Sequence, residues 1–498
     1  MSKHDVLRAA SFGQRVAEDE IDFLATYFVE TDDWQQLFDG RIDVVYGPKG
    51  AGKSALYHLL SSRKEDLRQR GILLVTAENP RGATAFKNLI ADPPASEREF
   101  VGMWKLYFAC LLQAALTDEG LRNASYDELT DVLADAGLVR GGASLSRLFA
   151  AVLSYAKRFA NVKEVEGGVE LDPLTQMPNG VKGKIVFAEP EGLGGKQQVT
   201  SVDQLLELAN EALTEANTSV WILLDRLDVA FSEHEQLEIN ALRALFRVYL
   251  DLLAFKQIQL KVFLRTDIWS RITEGGFREA SHITRHLTIN WNRASLLNLV
   301  VKRLLHNESI RQYYKVTEEL SRRPLNEQEA FYFELFPQQV DVGPNKPLSF
   351  DWMLSRTRDG GKANAPRELI HLLNSLRDTQ VRRFEMGEQP DPEGNHLFAR
   401  AAFKAALPEV SKVRLEQTIY AEYPSQKDVL ERLRGEKTSH TVDTLSNIWG
   451  VDRATAAKMA DSLASIGFFE MRGEKAAPEF WVPFLYRDAL DLVQGGAE

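Results

Sequence analysis

The 498-residue sequence holds a single cysteine, Cys110, so no internal disulfide can form. A chain without such staples suits a reducing compartment, and a cytoplasmic location is expected. No run of about eighteen apolar residues occurs, so neither a membrane-spanning helix nor a membrane partner is expected. The opening stretch MSKHDVLRAASFGQ lacks an apolar segment followed by small residues and does not read as a secretory leader. A basic excess is missing as well: 60 Lys and Arg stand against 71 Asp and Glu, a formal net charge of −11. Proteins that coat nucleic acid non-specifically carry the opposite balance, so any DNA-contacting face must be shown by particular residues. Repeats and low-complexity tracts are absent. The remaining composition, 44% hydrophobic and 26% charged, is that of a globular protein. The length predicts about two to four domains.

What is present begins with VVYGPKGAGKSALYHLL, residues 44–60. Gly47, Gly52, Lys53 and Ser54 match G-x-x-x-x-G-K-[ST], the phosphate-binding P-loop pattern. Glycines let the backbone close around phosphate oxygens, and successive N–H groups at the start of a helix point at the anion. The candidate nucleotide-binding residues are therefore Gly47, Pro48, Lys49, Gly50, Ala51, Gly52, Lys53, Ser54 and Ala55. Lys53 reaches the β- and γ-phosphates and Ser54 ligates Mg²⁺ in such a loop. RIDVVY before it predicts a strand and SALYHLLSSRK after it a helix. The guanine-selecting pattern Asn-Lys-x-Asp is lacking; NKPL at Asn345 has no aspartate, so ATP is expected.

SVWILLDRLDVAF, residues 219–231, supplies the second acid. Its apolar run predicts a strand buried on both faces, with Asp225 at the C-terminal end, where open α/β sheets bind ligands. Asp225 is the candidate Mg²⁺-orienting carboxylate. Hydrolysing P-loop enzymes often carry Glu next, to orient the attacking water; here the residue is Arg226. Asp228 either takes that role or is a helix cap or surface charge. Further strands are predicted at GILLVTA, QIQLKVFLRTDIW and RHLTINW, with a helix at LEINALRALFRVYLDLLAF. The result is a doubly wound α/β fold with a five-stranded parallel sheet.

The order of these motifs, with LTINWNRASLLNLVVKRLL following, resembles the AAA+ and STAND branch of P-loop ATPases, especially its initiator-like members. Within that branch it is similar to a group of bacterial ATPases often found near defence genes, whose N-terminal pattern matches AEDEIDFLATYFVET. The resemblance leaves out residues about 90–215, an expected insertion. It implies a γ-phosphate sensor among Arg265, Thr266 and Asp267, with Arg265 favoured. It implies an arginine offered to a neighbouring subunit, Arg278 or Arg285, and hence a homo-oligomer. In GGKANAPRELIHLLNSL, Pro366 suits a first helical turn and Arg367 resembles the second sensor, an arginine of a helical lid that reaches the γ-phosphate. The alternative is a structural ion pair for Arg265, a solvated face for Arg278 and Arg285, and a surface arginine paired with Glu368 or a neighbour for Arg367.

The C-terminus resembles a winged helix: a helix from Val442, a turn at Gly450, a helix over 453–466 and a β-wing in GFFEMRGEKAAPEFWVP. Its basic residues Arg453, Lys458, Arg472 and Lys475 lie among Asp452, Asp461, Glu470, Glu474 and Glu479. DNA contact through 441–475 and protein docking both stay open. The expected organisation is an N-terminal extension (1–40), a P-loop domain (41–295), a helical lid (296–410) and a winged-helix-like domain (411–498). MWKLYFACLLQAAL is expected to be a buried helix, and Asn179-Gly180 a hairpin turn in the insertion. The expected function is Mg²⁺-dependent ATP binding and hydrolysis, with a place in bacterial anti-phage defence implied by resemblance. No effector motif is visible, so a partner protein would supply one. A switch with little turnover and a DNA-binding regulator are the alternatives.

Overall fold

The computed structural model describes residues 1–498 except 15–18, 21–22, 30, 79–85, 87–96, 140–143, 161–184, 188–199, 228–234, 389–390, 475–476 and 498. Asp228, Lys475, the Asn179-Gly180 turn and part of the N-terminal pattern lie outside the described residues. The chain divides into two units. One comprises Asp32–Tyr46 and Leu56–Thr288; the other comprises Met1–Thr31, Gly47–Ala55 and Ile289–Glu498.

The first unit is built on five strands: β1 (Val44–Gly47), β2 (Ile72–Thr76), β3 (Ser219–Leu224), β4 (Ile258–Arg265) and β5 (His286–Thr288). Their order in the sheet is β2-β3-β4-β1-β5. The five expected strands are all present, and the pairs β1/β5, β2/β3 and β3/β4 are parallel. Val220–Leu224 is buried throughout, as the continuous apolar run required of a central strand. After β1 the chain enters α1 (Lys53–Ser62). Two of the candidate sensor residues, Thr266 and Asp267, begin a helix rather than end β4, because the strand closes at Arg265.

Helix α2 (Glu97–Asp118) is long and apolar enough to cross a membrane, alone among the described residues, but 78% of its apolar window is buried in the protein. It is the buried helix expected from MWKLYFACLLQAAL. Trp104 and Tyr107 pack with Phe86 and Phe149, and the Trp104 indole donates to the Ala241 carbonyl at 3.0 Å. Ala241 belongs to α4 (Glu235–Leu252), and α3 (Val202–Glu215) adds Leu205, Leu206 and Leu213 to the same core. The 90–215 region thus contributes helices to the sheet's own hydrophobic core.

The second unit is helical. α5 (Arg293–His306), α6 (Pro366–Glu385) and α7 (Arg400–Arg414) share an apolar core with the N-terminal helix Lys3–Ala9. Leu296, Leu299, Val300, Leu304 and Leu305 of α5 are all buried, as their spacing predicts. Arg303 of α5 is buried and meets both oxygens of Glu20, at 3.0 and 2.9 Å. The C-terminal part is a winged helix: α8 (Val442–Trp449), a left-handed Gly450 at φ 66°, α9 (Arg453–Ser465), and an antiparallel wing of β7 (Glu470–Glu474) and β8 (Ala477–Trp481). Two strands the sequence did not announce, β6 (Lys437–His440) and β9 (Val493–Gly496), extend the wing into a sheet ordered β9-β6-β8-β7.

The glycine turn before α6 is clamped to this winged helix. Gly360 N–H donates to the Gly467 carbonyl at 2.7 Å. A Cβ at Gly360 would lie 2.1 Å from the Phe469 carbonyl oxygen, a backbone atom that cannot swing aside. Gly360→Ala is therefore expected to destabilise the protein by about 1–3 kcal/mol. An unchanged melting temperature would show that this backbone contact is not close in solution.

Candidate functional site

The P-loop, Gly47–Ala55, closes on itself and on the first turn of α6 within the same unit. The Lys53 ammonium donates to the carbonyls of Gly47 and Pro48 at 2.8 and 3.0 Å, holding its charge inside the loop. Gly50 and Gly52 adopt φ of 80° and 98°, a region that L side chains rarely enter. A Cβ at Gly50 would sit 3.0 Å from Cβ of Arg367 and 3.4 Å from Cβ of Ala365, whereas one at Gly52 would meet nothing within 4 Å among the described residues. The loop is thus backed by the first turn of α6 at one glycine and open at the other. Pro366 occupies the first turn of α6, as expected, and sets Arg367 against the loop. Two loop partners escaped sequence reasoning. The Trp291 indole donates to the Ala51 carbonyl at 2.7 Å, and Glu422 forms an ion pair with Lys49. Nothing in the linear pattern marks Glu422, and Trp291 was simply the last residue of a predicted strand.

The C-terminal edge of the sheet gathers a second set of residues. Asp225 follows β3 and is 5% exposed. Arg226, next in the chain, holds φ 58°, the left-handed conformation that costs a non-glycine residue about 1–2 kcal/mol. Pairing of β2 with β3 runs from Ile72 opposite Ser219 to Thr76 opposite Leu223. The ladder continues one residue, since Ala77 N–H donates to the Leu223 carbonyl at 2.9 Å. The next residue, Glu78, is 1% exposed. Tyr57 of α1 is 2% exposed, and its ring meets Phe263 of β4 edge-on at 5.8 Å. Burial raises the Tyr57 pKa, and Asp225 and Glu78 raise it further against an opposing pull from Arg226. Sequence reasoning missed Glu78 and Tyr57; the signal for Glu78 was available as a carboxylate at the end of an apolar strand.

The remaining candidates are placed as follows. Arg265 closes β4 and grips Asp267 with two hydrogen bonds, Nε to Oδ1 at 3.0 Å and Nη2 to Oδ2 at 2.8 Å. Arg285 lies 3.0 Å from Asp43 and donates to the Gly40 carbonyl. The same Asp43 binds Lys261 at 2.8 Å, and burial lowers the Lys261 pKa to about 8 despite that partner. Arg278 is exposed at the start of a short 3₁₀ turn, Arg278–His282. In the winged helix Arg453 pairs with Asp443 at 3.0 Å, while Arg472 pairs with Glu470 at 2.9 Å and stacks on Trp481. Lys458 is exposed.

No protein-family model and no curated protein matches the chain. Several solved structures do align over most of its length. The Aeropyrum pernix ORC1 protein, solved in complex with DNA, is 12% identical, with a TM-score of 0.38 and 96% of each chain covered. The ORC2 protein of the same organism, solved as ADPNP-ADP complexes, is 12% identical with a TM-score of 0.30, covering 92% of this chain and 90% of that one. CDC6P from Pyrobaculum aerophilum is 11% identical with a TM-score of 0.28, covering 94% and 96%. Likeness at this level adds nothing to the chemistry, and the fold class rests on the chain's own strand order: a P-loop parallel sheet, a helical region and a C-terminal winged helix.

The two loop glycines separate strain from crowding. Both Gly50→Ala and Gly52→Ala incur the left-handed penalty, about 1–2 kcal/mol each. Gly50→Ala also pushes on Arg367, so its melting temperature should fall further than that of Gly52→Ala. Equal falls would mean that the first turn of α6 does not back the loop.

Proposed function

We propose that this chain is a Mg²⁺-dependent ATPase of the AAA+ type that works as an oligomer. One observation carries the reading: the loop at residues 47–54 has two left-handed glycines, a lysine ammonium held within it and a helix N-terminus behind it. That arrangement presents backbone N–H groups and a cation to a polyphosphate. Among the described residues nothing crowds Gly52, which lets phosphate oxygens approach the backbone.

Lys53 would leave its carbonyl partners for the β- and γ-phosphates. Ser54 and Asp225 would hold Mg²⁺, which supplies positive charge against the phosphates when bound. No group of three or more His, Cys, Asp or Glu suited to a metal occurs among the described residues. Arg367, whose Cβ lies near Gly50, would sense the γ-phosphate. Arg265 would do so only by giving up part of its grip on Asp267. Arg278, exposed, is the arginine offered to a neighbouring subunit, whereas Arg285 is committed to Asp43 within its own chain. An effector partner and a setting in bacterial anti-phage defence rest on the sequence resemblance alone.

Arg226 in the place of glutamate supports a second reading, a nucleotide-gated switch with negligible turnover. One experiment separates the two. ATP turnover per protomer is measured as protein concentration rises, with Lys53→Ala as the blank. The ATPase reading expects turnover above the blank that grows with concentration. Arg278→Ala should then lower it about 10³-fold or more. ATP binding with turnover equal to the blank at every concentration would establish the switch instead.

A further inference from the structure

We infer that Arg356, Arg472 and Arg487 form an anion-binding slot at the base of the wing, and that the slot takes side-chain carboxylates from an acidic segment of a partner protein. The inference goes beyond the ATPase reading and does not depend on it.

The slot lies wholly within the second unit, where β8 leads into the short helix Phe484–Arg487 and meets the helix Ser349–Arg356. Three guanidiniums alternate there with three aromatic rings. Arg472 sits 3.7 Å from the centre of the Trp481 ring, and Arg487 lies 4.6 Å from Trp481 and 4.0 Å from Phe484. Arg356 continues the stack, 4.1 Å from Phe484 and 4.6 Å from Trp352. Stacking on a ring holds a guanidinium by its face and leaves its N–H edge for a carboxylate, which matches that edge with two parallel hydrogen bonds. The stack is open at one end: Arg472 is exposed, and Arg356, Trp481 and Phe484 are half-buried.

The positive charge of this stack is not neutralised from within. Among the described residues neither Arg356 nor Arg487 forms an ion pair; Arg487 Nε donates to the Val482 carbonyl at 2.9 Å and Arg356 Nη1 to the Ser355 hydroxyl at 2.8 Å. Arg487 is 8% exposed, so it has lost most of its water without gaining a counter-charge. Burial, and then the charges of Arg356 and Arg472, lower the Arg487 pKa to about 10 against an upward pull from Asp488. Other carboxylates close by are engaged. Glu470 pairs with Arg472 at 2.9 Å and lies 3.7 Å from Lys362, Glu479 accepts from the Ser439 hydroxyl, and Asp341 pairs with Lys404 at 2.5 Å. A buried cation in like-charged company is costly, and an entering anion relieves that cost. The surroundings also select the anion. Glu470, Glu474 and Glu479 share the wing face of Arg472, since residues two apart on a strand and residues directly opposite point the same way. Acids so placed admit a carboxylate at one point but repel the continuous row of phosphates of a nucleic acid.

The test titrates the full chain with a fluorescent peptide carrying two adjacent glutamates in a glycine-serine background, followed by anisotropy. The same peptide with glutamines and a short DNA, single-stranded and duplex, are run beside it. The glutamate peptide is expected to bind saturably and the glutamine peptide not to bind. Arg356→Gln should weaken glutamate-peptide binding about 10-fold or more, the loss typical of one charge-assisted hydrogen-bonded partner. A purely structural stack predicts a different result: Arg356→Gln lowers the melting temperature, and the two peptides behave alike. That result overturns the proposal, as does glutamate-peptide binding that Arg356→Gln leaves unchanged. DNA binding that Arg356→Gln abolishes, with no peptide binding, overturns it in favour of a nucleic-acid site. Where Arg356→Gln fails to fold, Arg472→Gln at the exposed end serves instead, and unchanged peptide binding by that variant overturns the proposal equally.

Discussion

Parallel strands deliver their C-terminal ends to one edge of a sheet, and the chemistry of this chain depends on that constraint. β2 leads into Glu78, β3 into Asp225 and β4 into Arg265, residues far apart in sequence that share the edge because their strands run the same way. An antiparallel β2 would have sent Glu78 to the opposite end. The strands are mainly apolar, with the buried Lys261 of β4 paired to Asp43 as an exception, so the sheet is held largely by burial while its ends carry groups whose desolvation is costly. α2 then covers this edge with aromatic residues and gives it a hydroxyl, Tyr107, that pins the end of β2.

The helical unit depends on a buried cation. Arg414 of α7 lies 2.9 Å from Glu368 and 3.7 Å from Asp359, with the Tyr486 hydroxyl at 3.4 Å. Burial alone would lower the Arg414 pKa, but Tyr486, Glu368 and Asp359 outweigh it and the pKa rises. Breaking such a pair by removing one partner typically costs about 3–5 kcal/mol, because the other charge is left buried. Glu368 is the residue after Arg367, so the cation fixes the turn of α6 that backs the P-loop.

Much of this was legible in the sequence where local pattern and chemistry agreed. The loop, the five strands, the Asp225 strand end, the first turn of α6 and the helix-turn-helix all follow from runs, spacing and special residues. What escaped was lateral. Glu78 gains its place from pairing with a strand far along the chain, and no periodicity encodes that register. Glu422 reaches Lys49 through tertiary folding alone. For Arg265 the pattern left a phosphate sensor and a structural ion pair open, and for Arg285 an arginine offered to a neighbour and a solvated face; each has a carboxylate within salt-bridge distance in its own unit. Arg226 was weighed by its side chain, whereas the backbone is what stands out, since a non-glycine residue at φ 58° cannot be inferred from composition.

The Gly360 clamp has a consequence for how the helical unit comes apart. Gly360 hydrogen-bonds to Gly467, and Asp359 packs against the position of the Gly467 Cβ. Arg414 bridges the same turn to Tyr486. Local unfolding proceeds in contiguous cooperative blocks, and these contacts merge the winged helix with the turn that leads to Arg367. Amide protons of Gly360 and of the winged-helix strands should therefore exchange with solvent at a shared rate. Fraying of the C-terminus would then reach the phosphate loop as a loss of order behind Gly50, well before the chain as a whole unfolds.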